Sequence, residues 1–108
     1  MVVVVFRSRL RADADLAALE ALGARMYALA SQMPGFVAYK DFSAADGESL
    51  TLVEFDSEAN LAAWRDHPEH RAAQERGRTE FFADYRIAVC ETRRAYRFAV
   101  GEGRVPLP

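Results

Sequence analysis

Phe36-Val37-Ala38-Tyr39-Lys40-Asp41-Phe42, then a short connection holding Asp46-Gly47, then Ser49-Leu50-Thr51-Leu52-Val53-Glu54-Phe55: this stretch decides the fold. Two runs of β-branched and aromatic residues flank an Asp-Gly pair, and such a pair tolerates the positive φ that a tight hairpin needs. The spacing predicts antiparallel strands over Phe36 to Phe42 and Ser49 to Phe55. Upstream, Pro34-Gly35 stops a helix whose apolar stripe is Leu16, Leu19, Leu22, Met26, Leu29 and Met33, with Asp13 or Asp15 as its cap. Before that helix, Val2 to Leu10 reads as a strand, β-branched first and then alternating. Downstream, Asp56-Ser57 caps a second helix that turns Leu61 and Trp64 inward. His67-Pro68 breaks and restarts it, because proline suits a helix's first turn and not its middle. The restart is expected from about Glu69 to Phe82, and a last strand from Tyr85 to Phe98.

The order is β-α-β-β-α-β, an α+β chain of the ferredoxin-like plan with an antiparallel sheet. The domain is expected over residues 1–98, and the Gly- and Pro-containing segment 99–108 as a tail, an arm or disordered. Two helices of this length cover one face of a four-stranded sheet. Yet Val2 to Val5 is apolar without a break, and Leu50 and Leu52 oppose Val53 and Phe55 across their strand. The second face therefore needs a cover, and a second copy of the same sheet provides one in a two-fold homodimer.

At 108 residues with a formal charge of −2, the chain has the size of one domain and no field that favours phosphate backbones or anionic lipid. Nucleic acid and membrane are not expected partners. The apolar run near the N-terminus is short and is followed, not preceded, by Arg7, Arg9 and Arg11, so it reads as a strand and not a signal peptide. Cys90 is the only cysteine, which excludes an intrachain disulfide and suits a reducing cytoplasm.

The most distinctive text is Asn60-Leu-Ala-Ala-Trp64-Arg-Asp-His67-Pro68-Glu69-His70-Arg-Ala-Ala-Gln74, ending in Phe81-Phe82-Ala-Asp84-Tyr85. It resembles the antibiotic biosynthesis monooxygenase family, small dimeric α/β-barrel proteins, over roughly Val2 to Tyr96. In that family a tryptophan on the second helix precedes a helix restart of this kind and a phenylalanine-rich exit into the last strand. Members include quinone-forming monooxygenases, haem-degrading enzymes and proteins of unassigned role. In the quinone-forming members an asparagine and a tryptophan at the spacing of Asn60 and Trp64 hold the oxygens of a polycyclic phenol. The resemblance thus implies catalytic roles for Asn60, Trp64 and His70. Trp64 on its own reads equally as a core residue, Asn60 as an exposed helical amide, and His70 as a solvated histidine or a pocket acid/base near pH 6.5.

The departures from the family matter too. Haem-degrading relatives carry an iron-ligating histidine where this chain has Gln74, and a strand-one asparagine where the nearest residue is Ser8. Glutamine is a poor axial ligand, so haem is not an expected substrate. The tyrosine of the quinone-forming pattern is replaced near His70. His67 belongs to the helix start, and no third residue completes a metal site with the two histidines. Tyr27, Phe55 and Phe81 are the candidates to line a substrate pocket, although they, Tyr39, Phe42 and Phe82 also suit a core. No Gly-rich dinucleotide loop is present. The expectation is a monooxygenase that uses O₂ and a small aromatic or polyketide-like phenol without a cofactor. The alternative is a non-catalytic binding or stress-response dimer of the same fold.

Overall fold

A computed structural model describes residues 1–107. Strand β1 (Val2–Leu10) leads to helix α1 (Leu16–Ala30), and the hairpin of β2 (Phe36–Ser43) and β3 (Ser49–Phe55) follows. Helices α2 (Glu58–Arg65) and α3 (Pro68–Arg76) come next, then a π-helical turn over Gly77–Phe81, strand β4 (Phe82–Glu91), and a hairpin of β5 (Tyr96–Ala99) and β6 (Gly103–Pro106). The main sheet is antiparallel in the order β2-β3-β1-β4, the ferredoxin-like arrangement. Pro108, the end of the expected tail, lies outside the described residues.

Local chemistry sets the element boundaries. Asp15 caps α1 by accepting from the Ala18 amide at 3.0 Å, and Ser57 caps α2 by accepting from the Asn60 amide. His67 caps α3 with Nδ1, which accepts from the Glu69 amide at 3.1 Å, and Pro68 supplies the first helical residue. In the β2–β3 turn Gly47 adopts φ 90°, and the Asp46 carboxylate accepts from the Glu48 amide.

Register then sorts the side chains. Val2 faces Phe55, Val4 faces Val53 and Phe6 faces Thr51, so the even-numbered residues of β1 share the helix-side face of the sheet with Val53 and Phe55. There Val2, Val53 and Phe55 pack against Met26 and Ala30 of α1 and Leu61 and Trp64 of α2 to form the core. Val3, Val5, Leu50 and Leu52 take the opposite face and stay only half-buried, while Phe42 beside them is exposed.

Two expectations need correction. The restarted helix does not run to Phe82: α3 ends at Arg76, and one π turn carries the chain into β4. Arg11 holds that turn from outside. Its amide donates to the Phe81 carbonyl at 2.8 Å and its Nε to the Phe82 carbonyl at 3.1 Å, and its guanidinium also reaches the Arg78 carbonyl. These carbonyls would otherwise lack helical partners. The last strand ends at Glu91 and not at Phe98. The Thr92 amide donates to the Met1 carbonyl, and beyond Met1 the strand β1 offers nothing further to pair with.

Gly77 shows how tightly the turn is packed, since a Cβ there would sit 2.7 Å from Cε2 of Phe82. The Phe82 ring is itself held edge-on to Phe6, with centroids 5.3 Å apart. Gly77→Ala is therefore expected to cost about 1–3 kcal/mol by overpacking. A thermal melt that matches the parent protein would show that the ring yields freely.

Candidate active site

Between the sheet and the helices lies a cavity of about 810 Å³. Its floor is the helix side of the sheet, with Val4, Phe6 and Ser8 from β1, Thr51 and Val53 from β3 and Tyr39 from β2. Its roof comes from α1 through Leu22, Met26 and Tyr27, from Trp64 on α2, and from His70 and Gln74 on α3. The π turn closes one side with Gly77, Arg78 and Phe81.

Of the candidates read from the sequence, Trp64, His70, Tyr27 and Phe81 meet at this cavity. Asn60 and Phe55 are not among its lining residues, and each departure has a plain cause. The Asn60 amide nitrogen donates to the Asp56 carboxylate at 2.8 Å, and the pair packs against the backbone of Gly35. Asn60 thus ties the start of α2 to the loop after α1. Phe55 is fully buried in the core, edge-on to Phe36.

Trp64 and His70 form one unit. Their rings stack with centroids 4.2 Å apart and 10° between planes, and His70 Nδ1 lies 3.1 Å from the Trp64 carbonyl oxygen. A carbonyl can only accept, so Nδ1 carries the proton and Nε2 of the neutral ring is left as an acceptor. Burial pushes the His70 pKa below the ordinary 6.5, and the nearby His67 acts in the same direction. The hydrogen bond to Trp64 opposes them without prevailing. His70 is therefore a neutral base at pH 7.

Tyr39 presents the opposite kind of group. Burial, assisted by the Asp41 carboxylate, pushes its phenol up to about 12, so it stays a neutral hydroxyl. The cavity thus combines an unprotonated imidazole, a protonated phenol and mainly apolar walls.

Some lining residues were not chosen as site residues from the sequence. Ser8 and Gln74 stood out only as departures from a haem-degrading pattern, and both line the cavity. The alternation of β1 carried a usable signal, because Val4, Phe6, Ser8 and Leu10 all fall on the lined face. Arg78 had none, since its place depends on the π turn.

Fold and cavity together define a small α+β domain with an enclosed apolar site beside a neutral histidine. The family profile described as antibiotic biosynthesis monooxygenase matches residues 1–76, and the chain belongs to that family. The protein YqjZ of Bacillus subtilis, itself uncharacterized, is 36% identical over 74 residues, which are 68% of this chain and 65% of that protein. The match thus spans slightly less than two thirds of its relative. A putative antibiotic biosynthesis monooxygenase from Deinococcus radiodurans superposes with a TM-score of 0.79 at 18% identity, covering 92% of this chain and 99% of that one. Rv0793 from Mycobacterium tuberculosis gives 0.74 at 24% identity over 84% and 93%. SnoaB from Streptomyces nogalater, described as a cofactor-independent oxygenase, gives 0.72 at 17% identity over 87% and 94%. These likenesses show the shared fold. No helix among the described residues is long and apolar enough to cross a membrane.

Proposed function

We propose that the chain is a monooxygenase that needs no cofactor, oxidises a flat phenol of aromatic or polyketide type with O₂, and works as a homodimer. The observation that carries the reading is His70. Its Nδ1 is committed to the Trp64 carbonyl oxygen, and its free Nε2 belongs to a ring in the wall of an apolar cavity. A phenol hydroxyl placed against Nε2 transfers its proton there, and the phenolate is electron-rich enough to pass an electron to O₂. The atoms balance without an external reductant: a ring CH₂ and O₂ give a ring carbonyl and water. Trp64 supplies an apolar wall, and the neutral Tyr39 hydroxyl can donate to a second substrate oxygen. Low polarity around the phenolate strengthens its interactions with these groups. The likeness to SnoaB, by its description a cofactor-independent oxygenase, supports the same reading.

The dimer is proposed from the sheet's outer face, where Val3, Val5, Leu50 and Leu52 are half-buried and Phe42 is exposed. A matching face on a second copy would cover them and bury upwards of about 1,200 Å². Light scattering at micromolar concentration should give twice the 12.1 kDa chain mass, and a 12.1 kDa particle would remove the dimer.

The activity is tested with 1,8-dihydroxyanthrone and chelator-treated protein, following O₂ uptake and quinone absorbance above the uncatalysed rate. One O₂ consumed per quinone is expected. Trp64 is the chain's only tryptophan, so its fluorescence reports binding separately. Saturable quenching without O₂ uptake would replace the catalytic reading with that of a binding protein.

A further inference from the structure

The cavity has an open side. The helices cover β1 and β3 but leave β4 bare, and every residue from Ala83 to Glu91 is exposed. On the helix side of β4 this exposes an apolar row, Tyr85, Ile87 and Val89, the last two at 53%. The same three residues line the cavity. Sheet-to-sheet dimerisation covers the opposite face and leaves this row in water.

The chain also carries an apolar element with nothing to pack on. After Glu91 it leaves the sheet, and β5 and β6 pair with each other as a separate two-stranded unit. Tyr96 and Phe98 fall on one face of that hairpin with Arg104, whose guanidinium lies 4.4 Å from the Tyr96 ring centroid. Both aromatic rings are exposed, Phe98 at 66%. A lone two-stranded hairpin is marginal in water and needs a surface. The radius of gyration of 15.3 Å, against about 13 Å for a compact domain of this length, reflects an arm held away from its own body.

We infer that in the dimer this hairpin lies across the helix side of β4 in the second copy, over Tyr85, Ile87 and Val89, and closes that copy's cavity. The inference rests on the homodimer proposed above. Reach permits it: the linker from Thr92 to Ala95 and a four-residue strand extend roughly 25 Å, against roughly 10 Å between packed sheets. Charge favours it as well. The arm carries Arg93, Arg94, Arg97 and Arg104 against the single Glu102, while the exposed start of α1 carries Asp13, Asp15 and Glu20. None of those three acids is ion-paired among the described residues, and Glu20 lines the cavity. The site of one copy is then incomplete without the other, because Tyr96 and Phe98 of the second chain form its missing wall.

The test places the photoreactive residue p-benzoylphenylalanine at Phe98 in the full chain and runs light scattering on the same sample. Irradiation should give a product of twice the 12.1 kDa chain mass. Its cross-linked peptide should map to Tyr85, Ile87 or Val89 of the other chain. A dimer in which the cross-link is absent, intrachain, or on Asp84, Arg86, Ala88 or Cys90 overturns the arm placement and leaves the dimer standing. A monomer in light scattering overturns both.

Discussion

His70→Gln is expected to lower kcat/KM for phenol oxidation about a hundred- to ten-thousand-fold, the usual contribution of a positioned general base. Glutamine is chosen because its amide can still donate to the Trp64 carbonyl, preserving the bond that now anchors the ring. The pH profile separates a base from a structural prop. The His70 pKa lies below 6.5, so the parent enzyme should be insensitive to pH around 7 and lose activity as pH falls through that lowered value. The variant should have no such acid limb, and its small residual rate should climb with pH as the substrate ionises unaided. Stability carries the same sign. A pKa lowered on folding gives a contribution that is complete above 6.5 and lost as pH falls through the folded value. Acidification should therefore destabilise the parent more than His70→Gln. A variant within about threefold of the parent rate, with the acid limb intact, would remove His70 as the base.

Locally encoded features were legible in the sequence. Asp46-Gly47 announced the hairpin, Ser57 and His67-Pro68 the helix starts, and alternation along β1 the two faces of the sheet. Features that depend on a distant residue were not. The π turn exists because Arg11, some seventy positions away in sequence, satisfies its carbonyls, and no periodicity in Gly77–Phe81 records that. Asn60 and Trp64 do sit one helical turn apart, but helical spacing does not reveal that Asp56 captures the asparagine amide first. The sequence likewise marked Tyr27, Phe55 and Phe81 as large apolar side chains without separating cavity wall from core. That separation depends on how far the helices stand from the sheet, a property of the whole packing. The boundary of β4 followed the same rule, since pairing stops where β1 runs out.

Phe55→Ala is expected to destabilise the protein by about 3–5 kcal/mol, the range for truncating a buried phenylalanine. Phe55 has no exposed surface, faces Val2 across β1 and meets Phe36 edge-on with centroids 5.9 Å apart. It lies in the one cluster that joins α1, α2 and the sheet, together with Met26, Ala30 and Trp64. Because Phe55 does not border the existing cavity, the void left by truncation is new, closed and apolar, and water cannot offset the lost contacts. Against a total stability of about 5–15 kcal/mol for a domain of this kind, that is a large share. Tyr27 supplies the contrast, being half-exposed and already at the cavity wall, so Tyr27→Ala should cost about 1 kcal/mol. Urea unfolding followed by the single tryptophan measures both, at one fixed protein concentration because dissociation couples to unfolding in a dimer. A Phe55→Ala cost below about 1.5 kcal/mol, or one no larger than that of Tyr27→Ala, would mean that the core closes over the gap and that Phe55 does not hold the helices to the sheet.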